Sequence, residues 1–166
     1  MRRKSILLSS IGLIIALLGW RLLQAILPVS SAETEAQRLG LGCAALLPGA
    51  FVLALMVLAQ MAGRAAARVL DPTVGQETRF LLVNQRVISN TVEQFVVFAP
   101  ALLALMAAAS PPDMPAIQAL GYVFAGARLL FWAGYLRAPL FRAPGMAATE
   151  GVTLATLIAA CWAWLA

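Results

Sequence analysis

Five apolar runs, at about 5 to 27, 39 to 63, 80 to 109, 115 to 136 and 143 to 165, constrain this chain more than any other feature. Each is close to the roughly 20 residues that an α-helix needs to cross the hydrocarbon core of a bilayer. Because the bilayer offers no water to backbone N–H and C=O groups, a lone run of that length has to be helical. Of the 166 residues, 62% are apolar and 11% charged, and the mean hydropathy is +0.88. A soluble domain has too little interior to bury that apolar fraction. The expectation is an all-α, multi-pass integral membrane protein.

The breaks between runs have local causes. Pro28 to Glu35 is polar and turn-prone, Leu70-Asp-Pro-Thr-Val-Gly75 stops a helix, and Ser110-Pro-Pro-Asp113 cannot continue one. Arg137-Ala-Pro-Leu-Phe-Arg142-Ala-Pro144 makes the last reversal. No loop is long enough for a soluble domain and nothing repeats, so one helical bundle is expected. Pro48 and Pro100 are expected to kink the second and third helices, and Gly42, Gly49 and Gly63 to permit close helix approach.

Basic residues orient the bundle. Arg2, Arg3, Lys4, Arg64, Arg68, Arg79, Arg137 and Arg142 fall on one side, against only Arg38 in the opposite loops, which places that side and the N-terminus in the cytoplasm. The net charge of +5 is accounted for by this asymmetry, so nucleic-acid binding is not expected. Short loops and an alanine-rich composition point to a bacterial inner membrane. The first run has a second reading, as a secretory signal cleaved near Val29-Ser-Ser-Ala32. Its length, and Arg21 within it beside Trp20, favour a retained helix. Tyr122, Trp162 and Trp164 suit an aromatic belt at the outer surface.

With no histidine and two cysteines far apart, the usual zinc and haem ligand sets are missing, and no metal is expected. Cys43 and Cys161 read as buried small apolar residues.

Against this apolar background, Arg86-Val-Ile-Ser-Asn90-Thr-Val-Glu93 places a cation, an amide and a carboxylate at i, i+4 and i+7, on one helix face. Arg128, Trp132 and Tyr135 repeat that spacing on the fourth run, and Arg142 opens the fifth. By the topology above, Arg86, Asn90, Glu93, Arg128 and Tyr135 all lie in the cytoplasmic half. Such a set can hold a small zwitterion: Arg as a fork for carboxylates, Glu for an ammonium, Asn for a peptide group. The alternative is that Arg86 or Arg128 pairs with Glu93 or Glu150 to join helices. Glu150 can serve either reading.

The first of these stretches resembles the R-x-x-x-N-x-x-E signature of the MAPEG family, the membrane-associated proteins of eicosanoid and glutathione metabolism. The second, Arg128 to Tyr135 followed by Arg142, is similar to the third-helix Arg and Tyr of the family's glutathione transferase and leukotriene-C synthase branch. The resemblance covers about residues 41 to 165. It implies a four-helix transmembrane domain over 39–166, preceded by an additional helix and outer loop over 1–38.

The resemblance further implies a homotrimer with glutathione, as co-substrate, in the crevice between subunits. Arg86, Asn90, Glu93, Arg128 and Tyr135 would bind it, and Arg142, or Arg137 if the turn is aligned with a gap, would stabilise its thiolate as the catalytic residue. A lipophilic electrophile would be the second substrate, and thiol conjugation or peroxide reduction the reaction. This chain has Ser89 and Thr91 where several family enzymes carry Arg and Asp, and Phe131 where another has His. A non-catalytic scaffold that binds lipid or a partner stands as the alternative, followed by a transporter that carries a proton on Glu93.

Overall fold

Each apolar run becomes one helix. A computed structural model describes residues 2–29, 32–68 and 77–165, without the Arg2 side chain. These form α1 (Arg2–Ile26), α2 (Glu35–Ala67), α3 (Arg79–Ala108), α4 (Met114–Arg137) and α5 (Ala143–Leu165). All five are long and apolar enough to cross a membrane, and no strand occurs among the described residues. The protein is an integral, multi-pass, all-α membrane protein.

Capping chemistry moves one boundary away from the expectation. α2 begins at Glu35 rather than near 39 because Thr34 and Gln37 form a capping box. The Thr34 Oγ1 accepts from the Gln37 N–H at 3.3 Å, and the Gln37 Oε1 accepts from the Thr34 N–H at 3.2 Å. Two backbone donors are thereby satisfied, and a polar stretch that reads as loop starts the helix. Thr78 caps α3 in the same way, accepting from the Leu81 N–H at 3.3 Å. The helix stop expected at 70 to 75 and the cleavage site around Ser30 and Ser31 lie outside the described residues. α2 and α3 run on through Pro48 and Pro100.

Around the bundle the order is α2, α3, α5, α4, with α3 also touching α4 across the middle, while α1 lies outside on α4 and α5. One apolar cluster holds Phe98 stacked on Phe124 at 4.4 Å, with Met106 and Met114 fully buried. A second, of Val52, Met56, Val87, Ala125, Phe131 and Tyr135, lies nearer the end that carries Arg64, Arg79 and Arg137, here called the basic end. Arg79 Nη1 donates to the Leu136 carbonyl at 2.9 Å and closes that end. At the opposite end the Trp164 indole donates to the Ala104 carbonyl at 3.0 Å and that of Trp20 to the Ala116 carbonyl at 2.7 Å.

Lipid tails are as apolar as leucine, so helices in a bilayer associate by close packing at small residues. A Cβ on Gly42, Gly49 or Gly63 would come within about 3 Å of a neighbouring side chain, as expected of helix contacts. The tighter contacts are elsewhere. Gly121 of α4 rests directly on the Ala45 carbonyl of α2, an obstacle that cannot rotate aside. Gly121→Val should therefore destabilise the bundle by roughly 1–3 kcal/mol, the usual cost of overpacking, seen as a lower melting temperature in detergent. Unchanged melting would mean that α2 and α4 do not meet there. Cys43 and Cys161 differ from expectation: both are free and exposed, because each sits on the outward face of its helix.

Candidate functional site

Two faces of α3 carry its polar residues. Leu81, Asn84, Val87, Thr91 and Phe98 turn into the bundle, whereas Arg86 and Glu93 are exposed and Asn90 is half-buried at the boundary between these faces. On α4, Arg128, Phe131 and Tyr135 all face inward. The packing of α3 on α4 and α5 then brings Asn90, Arg128 and Thr149 together.

Arg128 is 0% exposed. Its Nη1 donates to Asn90 Oδ1 at 2.9 Å and its Nε to Thr149 Oγ1 at 3.0 Å. The Thr149 hydroxyl donates to the Gly145 carbonyl at 2.8 Å, so it is used as both acceptor and donor. Beneath the guanidinium lies the Phe131 ring, 4.4 Å away. Nη2 is buried and has no partner among the described residues.

A buried cation held only by neutral groups is an unusual arrangement, since desolvation is normally offset by a countercharge. The helix-joining alternative needed an Arg–Glu pair. Among the described residues the single ion pair is Arg64–Glu77 at 3.4 Å, at the basic end. Glu150 acts on Arg128 only through its field and is itself exposed.

Beside this cluster opens a cavity of about 240 Å³ lined by Arg86, Asn90, Phe131, Tyr135, Arg142 and Met146. Arg142 stands on the single 3₁₀ turn Pro139–Arg142 that joins α4 to α5, and its guanidinium lies 4.8 Å from the Tyr135 ring. Arg137 instead sits over Phe141, at 5.7 Å, and does not line this cavity. The turn thus separates the two candidate arginines. Glu93 is exposed on α3, one turn beyond Asn90, and is not part of the cavity wall. The volume is below the roughly 300–1,000 Å³ usual for ligand sites, and the exposed Arg86 and Arg142 mark where it opens to the surface.

Chemically, the wall offers two exposed guanidinium groups and a phenol, and Asn90 links it to the buried Arg128 guanidinium. That suits an anionic ligand with carboxylates. Ser89 bonds back to the Gln85 carbonyl at 3.1 Å, and Thr91, fully buried, to the Val87 carbonyl at 2.7 Å. Neither extends the charged wall.

Thr149 and Met146 escaped the sequence reading. The available signal was Glu150, one residue away, but the neighbouring Thr149 is the side chain that faces the core. Asn84 was missed too: it is fully buried and donates to the Met56 carbonyl and Gln60 Oε1, both at 2.9 Å, tying α3 to α2.

Comparison with known proteins adds one match: the model of the MAPEG family fits residues 40–162, almost all of α2 to α5, and leaves α1 outside. No curated protein matches the chain.

Proposed function

The chain belongs to the MAPEG family, and we propose that it is a membrane-bound, glutathione-dependent transferase or peroxidase acting on a lipophilic electrophile. The observation that carries this reading is the Asn90–Arg128–Thr149 cluster beside a cavity whose rim holds Arg86, Tyr135 and Arg142. Arg128, buried without a countercharge, favours an anionic ligand. Arg86 and Asn90 offer a fork and an amide to a carboxylate and a peptide group, and Glu93, farther along α3, can reach an ammonium from the open side.

Chemistry is assigned to Arg142. Its guanidinium stabilises the thiolate, whose ordinary thiol pKa near 8.5 leaves little nucleophile at neutral pH. The sulfur attacks an electrophilic carbon, the C–S bond forms as the leaving group departs with its electron pair, and the thiol proton passes to solvent. Tyr135, packed under Arg142, orients it. The lipophilic partner reaches the cleft from the bilayer. A neighbouring copy covers the open side of this small cavity, in keeping with a homotrimer. In the proposed orientation the basic end faces the cytoplasm of a bacterial inner membrane.

Calorimetric titration with glutathione and turnover with an electrophilic aromatic halide test this reading. Wild-type protein should bind and turn over above the spontaneous rate. Asn90→Leu removes the amide offered to the peptide group and should weaken binding up to about tenfold, since such a hydrogen bond is worth about 0.5–1.5 kcal/mol. Binding without turnover would identify a scaffold of the same fold. Neither binding nor turnover, with aromatic halides or lipid hydroperoxides, would overturn the proposal.

A further inference from the structure

We infer that Gly12 of α1 is a positioning residue for Arg142, so that the helix outside the family match is a working part of the site. The inference rests on the reading of Arg142 given under Proposed function. Along α1, Leu17, Leu18 and Leu22 are exposed and Trp20 and Leu23 half-buried, while Gly12 and Ala16 are its buried positions. A Cβ at Gly12 would overlap the backbone carbonyl and Cα of Pro144, two residues beyond Arg142. The same turn is gripped from two further sides. Gly134 of α4 rests on the Phe141 carbonyl, and Gly145 of α5 rests on the Phe131 backbone.

Three contacts between glycine and backbone thus converge on residues 141 to 145. Backbone cannot swing aside as the tip of a side chain does, so such contacts define position more closely than apolar side-chain packing. The Arg142 side chain itself is exposed and makes no hydrogen bond to a described residue, its one contact of note being the Tyr135 ring. Its place is set by the turn beneath it. Gly134 and Gly145 belong to the matched four-helix segment, and Gly12 is the contact that α1 adds.

A bulkier residue at position 12 pushes Pro144 away and carries Arg142 with it. Displacements near 0.5–1 Å are enough to spoil a catalytic arrangement. Thiolate stabilisation then weakens, while ligand contacts on α3 and α4 persist.

The test uses the full chain with Gly12→Val, Gly12→Ala and, as control, Gly19→Val, because Gly19 on the same helix has open space around it. Amide hydrogen exchange over residues 138 to 146 reads the turn without reference to function. The pH profile of kcat/KM for the electrophile, measured at saturating glutathione, reads the thiolate of the bound tripeptide. Gly12→Val should speed exchange in that turn about tenfold and move the ascending limb of the profile to higher pH, towards the free thiol value near 8.5, with the glutathione Kd within about threefold of wild type. Gly12→Ala should give both shifts in smaller size, which keeps the test decisive if the valine variant does not fold. Gly19→Val should give neither.

Unchanged exchange in both Gly12 variants, equal effects from Gly19→Val, or faster exchange with an unmoved profile would each overturn the inference. If wild-type protein forms no glutathione thiolate, the functional reading fails, and so does the positioning role. Faster exchange confined to the turn would then leave α1 as a purely structural clamp.

Discussion

Arg142→Ala is expected to lower glutathione-dependent turnover about 10²-fold at pH 6.5 and only a few-fold near pH 9. The sign follows from the thiol. A thiol with pKa near 8.5 is about 1% ionised at pH 6.5, whereas one drawn to that pH or below by an adjacent guanidinium is at least half ionised. Removing the guanidinium costs that difference, and raising the pH restores the thiolate without help. The size also matches the loss commonly seen when one group stabilising a developing charge is removed.

The proposed role of Arg142 needs a guanidinium that no carboxylate neutralises. Among the described residues it has no carboxylate partner, and its contact is the Tyr135 ring at 4.8 Å. Arg142→Lys keeps the charge but loses the planar fork, so an intermediate deficit is expected. Turnover of Arg142→Ala equal to wild type at every pH would remove Arg142 from the mechanism. Arg137→Ala, by contrast, should leave the pH profile in place, since that side chain lies over Phe141 outside the cavity.

The second large effect is expected at Arg128, where two substitutions should differ in kind. Arg128→Ala empties a fully buried site and leaves Asn90 Oδ1 without its donor. Its cost should be roughly 3–5 kcal/mol, in the range of large-to-small changes and broken buried charge networks. Arg128→Met loses the same bond to Asn90 Oδ1, which that half-buried amide can make to water, but it keeps most of the volume and removes a buried charge that has no countercharge.

The methionine variant should therefore melt within about 1–2 kcal/mol of wild type yet lose glutathione binding by tenfold or more. Thermal unfolding in detergent and calorimetric titration separate the outcomes. If Arg128→Met is as unstable as Arg128→Ala, the residue joins helices and nothing else. If it folds and binds as wild type does, the cavity beside it is not an anion site.

Much of this arrangement was legible in the sequence. Arg86, Asn90, Arg128, Tyr135 and Arg142 were singled out by spacing and depth, and the structure puts Arg86, Asn90, Tyr135 and Arg142 in one cavity wall, with Arg128 buried behind it and bonded to Asn90. Helical periodicity was less able to say which way a residue turns. Glu93 shares its helix face with Arg86 and Asn90 in the 3.6-residue pattern, yet it stands clear of the cavity wall. Glu150 drew notice as a charge, although Thr149 makes the contact with Arg128. The choice between Arg137 and Arg142 depended on the 3₁₀ turn Pro139–Arg142, whose geometry no residue count reveals.

The number of helices and their all-α membrane character follow from the sequence alone. Hydropathy, spanning length and charge placement are local properties that need no partner helix. Which polar groups meet was decided only by tertiary packing. Adjacent residues on a helix point about 100° apart, so a small rotation exchanges a core position for a lipid-facing one. That rotation is set where Gly121, Gly134, Gly145 and Gly12 let backbones touch, and those contacts bring the polar residues read along two separate helices close together.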